Sequence, residues 1–123
     1  MVLALSSVRA DDVVVVHVRG ELDVATAGDL WPHVSGLIGQ GQRHILIDCT
    51  HLSFLDCFGL SALLRCSRAA RLGGGRMRLC QINLAVLQLL SITGLVQAFV
   101  NEDEIRTLMT RDGPPTSATD GRR

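Results

Sequence analysis

The sequence predicts an α/β fold: a small mixed β-sheet, with an antiparallel N-terminal edge hairpin and a parallel core, packed with about four helices. Three observations carry this. Short β-branched apolar runs alternate with segments whose apolar residues recur at helical spacing, which is the pattern of a parallel sheet built from strands and helices in turn. The first two runs, Leu3 to Val8 and Val13 to Val18, are separated by Ala10-Asp11-Asp12, which is turn chemistry and reads as a hairpin. Hydrophobic residues make up 47% of 123 positions, enough for the core of one domain, and with aromatics at only 3% that core is built from Val, Leu, Ile and Ala.

After the hairpin, Gly20-Glu21-Leu22-Asp23 leaves the second strand. Thr26-Ala27-Gly28-Asp29 has the form of a capping box with Asp in place of Glu, and Leu30, Val34, Leu37 and Ile38 follow at helical spacing. Pro32 removes a backbone hydrogen bond there, so the helix is either kinked or begins nearer Asp29. Gly39-Gln40-Gly41-Gln42 ends it, and His44 to Cys49 is a short buried strand. Asp56 N-caps a second helix that runs to about Leu72 and stops at Gly73-Gly74-Gly75. Met77 to Ile82 is another strand. Asn83 caps a third helix with an apolar stripe of Val86, Leu87, Leu89 and Leu90, closed by Gly94. Leu95 to Val100 is read as a short strand, and Glu102-Asp103-Glu104 suit the first turn of a last helix. The domain is expected over residues 1–110, with the Pro-, Ser- and Gly-rich residues 111–123 as a flexible tail.

Charge and composition exclude several classes. The formal net charge is zero, which argues against general affinity for nucleic acid. No apolar run approaches the roughly eighteen residues of a membrane span, so no membrane insertion is expected. The N-terminus lacks the basic region and apolar run of a signal peptide, which points to the cytoplasm. Cys49, Cys57, Cys66 and Cys80 are then expected as reduced thiols, and none forms a Cys-x-x-Cys pair. No P-loop follows Gly73-Gly74-Gly75, and no motif calls for a cofactor. Between Cys57 and Val100 there is no acid, while Arg65, Arg68, Arg71, Arg76 and Arg78 fall there. This stretch is either a solvated face or a docking face for an acidic partner.

In an open α/β sheet, binding surfaces lie beyond the carboxyl ends of the strands. The segment from His51 to Gly59 follows the predicted strand ending at Cys49, and the loop carrying Asp23 can reach the same end. On a helical wheel, Gly59, Ala62, Leu63, Cys66 and Ala70 share the core face of the second helix. Ser61, Leu64, Arg65, Arg68 and Arg71 lie opposite, with Phe58 at the margin. Apolar Phe58 and Leu64 beside arginines form a candidate binding patch. Cys57, at the start of the helix where backbone N–H groups favour an anion, is the candidate reactive or redox thiol. A cysteine hydrolase would need a histidine, but no Cys-His signature surrounds His51. A metal site from His44, Cys49, His51 and Cys57 matches no zinc spacing. Cys49 and Cys80 each end a strand and are close if those strands are neighbours. His17 and His33 read as surface residues of a strand and a helix. Neither a catalytic residue nor a metal ligand is assigned.

Several of these pieces together resemble one family. Gly20-Glu21-Leu22-Asp23 with Thr26-Ala27, the strand at 43–49, Leu52, Phe54-Leu55-Asp56, Gly59-Leu60, Gly73-Gly74, Asn83, Ala85-Val86 and Thr93-Gly94-Leu95 are similar, in order and spacing, to the STAS domain of bacterial anti-anti-sigma factors. The likeness covers roughly residues 3 to 110. It implies a small mixed sheet with helices and a non-enzymatic protein that binds an anti-sigma factor, usually a serine kinase of the GHKL ATPase type, and so frees the sigma factor. In the family, that kinase phosphorylates a Ser or Thr just before the Gly of an Asp-Ser-Ser-Gly type motif, and the phosphate breaks the complex by charge and bulk. Here the motif reads Asp56-Cys57-Phe58-Gly59. Phe58 stands at the phosphoacceptor-equivalent position and Cys57 precedes it; neither accepts phosphate from a serine kinase, and Ser53 and Ser61 lie off the family position. Expected partner-binding residues are Cys57, Phe58, Ser61, Leu64 and Arg65, with Asp56 as organiser of the loop and Asp23 added by the resemblance. Such a protein is a constitutive antagonist, is switched by oxidation of Cys57, or serves another assembly such as a stressosome or lipid-transport complex.

Overall fold

Alternation along one valine-rich strand sets the architecture. Val14, Val16 and Val18 are at most 2% exposed, while Val13, Val15 and His17 between them are only half-buried, because successive strand side chains point to opposite faces. The computed structural model describes residues 3–100 and Arg106. Its elements are β1 (Leu3–Ala10), β2 (Val13–Leu22), α1 (Ala27–Gly39), β3 (His44–Leu55), α2 (Cys57–Leu72), β4 (Arg76–Cys80), α3 (Leu84–Thr93) and the short α4 (Val96–Phe99). The sheet order is β1-β2-β3-β4. β1 and β2 are antiparallel, and β2, β3 and β4 run parallel to one another. The predicted mixed sheet with its N-terminal hairpin and helices is therefore observed.

The chain divides into two compact units, residues 1–82 and 83–123. In the first, Asp11 adopts φ 55°, a left-handed conformation that Asp tolerates, at the tight turn between β1 and β2. Ser7 pairs with Val16 in the ladder and its hydroxyl lies 2.6 Å from His33 Nε2 on α1, so α1 lies on the Val14/Val16 face. Leu30 and Val34 of α1, and Leu60, Leu63, Cys66 and Ala70 of α2, are buried with Ile45, Ile47, Met77 and Leu79 of the sheet. Each Leu, Ile, Val or Met among these contributes roughly 1.5–3 kcal/mol by leaving water. In the second unit, Asn83 Oδ1 accepts from the Val86 N–H at 2.9 Å and caps α3. Gly94, at φ 74°, closes it while the Leu95 N–H returns to the Leu90 carbonyl at 2.7 Å. Val86, Leu87 and Leu90 are buried and Leu89 is half-buried, as their spacing predicts.

Several boundaries differ from expectation. β2 continues through Gly20 to Leu22, and β3 runs past Cys49 to Leu55, so residues 51–55 are strand and not loop. The reason is mutual pairing: His51, Leu52, Phe54 and Leu55 lie against Arg19, Gly20, Glu21 and Leu22, across two register irregularities that disturb the alternation on which sequence reading depends. Consequently Cys49 does not end a strand. The capping box at Thr26 does not form; its hydroxyl turns back into the preceding loop and α1 has no side-chain cap. The helix starts at Ala27, before Asp29, and Pro32 withholds one N–H in its second turn. β4 is shorter than predicted, ending at Cys80, and residues 96–99, predicted as strand, form the helical turn α4. Ala62 is half-buried, whereas Leu60 and Ser67 join the core face of α2. The helix expected from Glu102 and the tail at 111–123 lie outside the described residues, apart from helical Arg106.

One polar link crosses the parallel pair. His17 Nδ1 lies 2.8 Å from Asp48 Oδ2, and Asp48 Oδ1 accepts from the Thr50 N–H at 3.0 Å and from the Thr50 hydroxyl. Partial burial raises the Asp48 carboxyl, but the hydrogen bonds from Thr50 and His17 outweigh it and hold Asp48 below its ordinary value. A depressed folded-state value stabilises the fold above the unfolded value of about 3.9 and is lost as pH falls through the folded value. Urea unfolding across the acid range is therefore expected to show a shallower loss of stability below about pH 4 for Asp48→Asn than for the unmodified protein. Identical acid limbs would remove Asp48 from this role.

Candidate functional site

β2 and β3 end side by side, with Leu22 opposite Leu55, and one residue, Asp56, separates β3 from α2. The Asp56 N–H donates to the Leu22 carbonyl at 3.3 Å. Asp56 Oδ1 accepts from the Gly59 N–H at 2.9 Å, the side-chain cap that its sequence position predicts. Gly59 itself lies against the same carbonyl: a Cβ there would stand 2.2 Å from Leu22 O and 2.8 Å from Leu55 Cδ1. Only glycine permits this approach. The first turn of α2 is thereby held to the end of β2, with Gly59 and Leu60 inward and Cys57 and Phe58 outward.

The neighbouring loop is fixed by a second polar knot. Asp23 Oδ1 accepts from the N–H groups of Ala25 at 3.0 Å and Thr26 at 3.1 Å. The buried Thr26 hydroxyl donates to the Glu21 carbonyl at 2.7 Å and accepts from the Asp23 N–H at 3.0 Å. This arrangement leaves Val24 at the loop's apex 65% exposed. Phe58 is 60% exposed, and Phe54, one residue before β3 ends, is 50% exposed. Three large apolar side chains thus stand in solvent on the segments that meet near Leu22.

Of the residues singled out by sequence, Cys57, Phe58, Ser61 and Arg65 are exposed, Leu64, Asp23 and Asp56 half-buried. Arg65 places its guanidinium 4.1 Å from the centroid of the Trp31 ring on α1, so it links two helices. Val24 and Phe54 were missed by sequence reasoning. Phe54 lay in what reads as a loop once the strand is ended at Cys49, and nothing in the composition of the Val24 turn marks it as outward-facing.

Cys49 and Cys66 are buried, whereas Cys57 is exposed. Burial pushes Cys49 up to about 12, with Cys80 and Asp48 adding to the effect. Burial pushes Cys66 up to about 11, against a small opposing influence of Arg65. Both are small core residues, protonated at neutral pH. Asp48, not Cys49, is the register partner of Cys80. The four residues weighed as metal ligands are dispersed between core and surface, Cys49 being buried and His44, His51 and Cys57 exposed. Among the described residues no three His, Cys, Asp or Glu side chains converge as a metal site, and no helix is long and apolar enough to cross a membrane.

Gly59→Ala is expected to destabilise the protein by about 3 kcal/mol in denaturant unfolding, the reverse of the roughly 1 kcal/mol gain that Gly-to-Ala gives inside an unobstructed helix. Stabilisation would show that the close approach to Leu22 is not a constraint. Asp56→Ala is expected to cost about 1 kcal/mol through loss of the cap, and an unchanged midpoint would dismiss that cap.

The family model for the STAS domain matches residues 4–109. An anti-sigma F factor antagonist of Paenibacillus polymyxa is 30% identical over 102 residues, covering 75% of this chain and 87% of that protein. The crystal structure of an anti-sigma factor antagonist from Mycobacterium paratuberculosis superposes with a TM-score of 0.71 at 23% identity, covering 90% of this chain and 96% of that one. The Bacillus cell-fate determinant SpoIIAA in its phosphorylated form superposes with a TM-score of 0.62 at 24% identity, over 86% of this chain and 97% of that one. On the extent of the family match and the relative at 30% identity, this chain belongs to the STAS domain family.

Proposed function

We infer that this protein is an anti-sigma factor antagonist that works by partner switching, with its docking surface centred on the start of α2 and no phosphorylatable side chain at the family position. The observation that carries the reading is Phe58: a large apolar ring, 60% exposed, in the first turn of a helix that Asp56 and Gly59 hold rigidly against Leu22. A solvent-facing aromatic on a preorganised turn suits an anchor, since little conformational freedom is lost when it binds. The relative named as an anti-sigma F factor antagonist supports the direction of the reading, and the phosphorylated form of SpoIIAA shows what that protein undergoes.

The proposed partner is an anti-sigma factor of the GHKL-type serine kinase class, and the mechanism is competition: the antagonist and sigma cannot hold the same partner at once, so its concentration sets how much sigma is free. Cys57, Ser61 and Leu64 extend the contact along α2. Arg65 is proposed to contribute from its position over Trp31, and Asp23 acts by holding the Val24 loop in place. With Phe58 where relatives are switched by phosphate, antagonism is constitutive with respect to that kinase. Ser53 lies off that position, and its hydroxyl donates to the Gly20 carbonyl at 2.9 Å.

Capture of the native partner, followed by titration calorimetry, tests this. Phe58→Ala is expected to weaken binding by about 2 kcal/mol, roughly thirtyfold, while Leu72→Ala at the far, 85% exposed end of α2 leaves affinity unchanged. Equal affinity for Phe58→Ala and the unmodified chain would overturn the docking surface. Incubation with the captured kinase and ATP is expected to leave the mass unchanged; phosphate on Ser53 or Ser61 would overturn the missing switch. Recovery of stressosome or transporter subunits in place of an anti-sigma factor would move the protein to another assembly.

A further inference from the structure

The described residues of the sheet are buried on one face and accessible on the other. β2, β3 and β4 are parallel, and parallel strands are ordinarily buried on both faces. Here the face carrying Val14, Val16, Ile45 and Ile47 is buried, whereas among the described residues no side chain of the opposite face is: Val8 is 57% exposed, and Val13, Val15 and Leu46 are half-buried.

The ladder registers define what this second face presents. One row across the four strands reads Val8, Val15, Leu46, Arg78. The row nearer the hairpin tip reads Ala10, Val13, His44, Arg76, and the row on the other side reads Ser6, His17, Asp48, Cys80. Reversal of a row sets its β1 residue over its β4 residue and its β2 residue over its β3 residue. If two copies pack face to face about a two-fold axis parallel to the strands, β1 of one lies over β4 of the other and β2 lies over β3. Val15 then meets Leu46 of the second copy, an apolar centre. The His17–Asp48 pair, already joined within each chain, lies over the same pair of the second copy, so this row brings together polar groups whose mutual bonds are made. Arg76 meets the end of β1 in the second copy, beside the turn formed by Asp11 and Asp12, the acids on the flank of the sheet opposite its own. The usual spacing of packed sheets, about 10 Å, accommodates interdigitating rows of this kind.

We propose that this open face is a homodimer interface, occupied by a second copy of this chain. Charge complementarity selects that occupant: the face carries arginines on the β4 flank and acids at the β1–β2 turn, and a two-fold axis brings each set to the other. The start of α2 belongs to none of the three rows, so a dimer of this kind presents the Phe58 surface twice.

Sedimentation velocity on the full chain over a concentration series is the test. The unmodified protein is expected to show a concentration-dependent monomer–dimer equilibrium. Leu46→Glu at the centre, and Arg76→Glu at an exposed flank position that cannot disturb the core, are each expected to raise the dimer dissociation constant at least about tenfold. Asp12→Arg is expected to do the same alone, and to restore dimerisation when combined with Arg76→Glu. A monomer at every concentration overturns the proposal, whatever covers the face. A dimer indifferent to both Leu46→Glu and Arg76→Glu overturns it equally, as does failure of the double charge reversal to restore association.

Discussion

The site rests on one close contact, that of Gly59 with the backbone carbonyl of Leu22. At this point the end of β2, the end of β3 and the start of α2 are forced into van der Waals proximity, with no room for a Cβ. The same carbonyl accepts the Asp56 N–H, and Asp56 in turn caps the helix at Gly59. A strand end and a helix start would normally leave several backbone groups to water; here they satisfy one another. What remains for the solvent side of that turn is Cys57 and Phe58, whose outward direction follows from the inward direction of Gly59 and Leu60 and not from any preference of their own.

The segments flanking this contact are stiffened by polar groups that serve structure. Asp23 and Thr26 close the adjacent loop on itself, and His17, Asp48 and Thr50 join the parallel strands a little further down. The exposed apolar groups Val24, Phe54 and Phe58 stand on these fixed supports. Asp23 and Asp56 each make hydrogen bonds that hold these supports in place.

Much of this was legible in the sequence because it depends on local chemistry. Asp56 and Asn83 precede apolar helical periodicity and cap as Asx residues do; Gly94 takes the left-handed conformation that ends α3; Ala10-Asp11-Asp12 turns the hairpin. What could not be read depends on partners distant in sequence. The extension of β3 to Leu55 exists because β2 extends to Leu22, and the irregular register between them erases the two-residue period that would announce a strand. Thr26 looked like a helix cap until the Glu21 carbonyl offered its hydroxyl a better acceptor. Leu95 to Val100 is largely apolar with two β-branched valines, yet Val96–Phe99 within it folds as a helical turn, a case where a short apolar run does not distinguish the two states. The outward faces of Val24 and Phe54 were hidden for the same reason, since both follow from where the strands stop.

The stacking of Arg65 on Trp31 has a practical corollary. This indole is the only one in the chain, and there is no tyrosine. Its immediate surroundings include a cation carried by α2, two turns beyond Phe58. Ultraviolet emission from the native protein therefore originates from a single chromophore whose environment depends on the helix that bears the docking turn. Any event that tilts, shields or unwinds that helix is written into the protein's intrinsic fluorescence, with no label required.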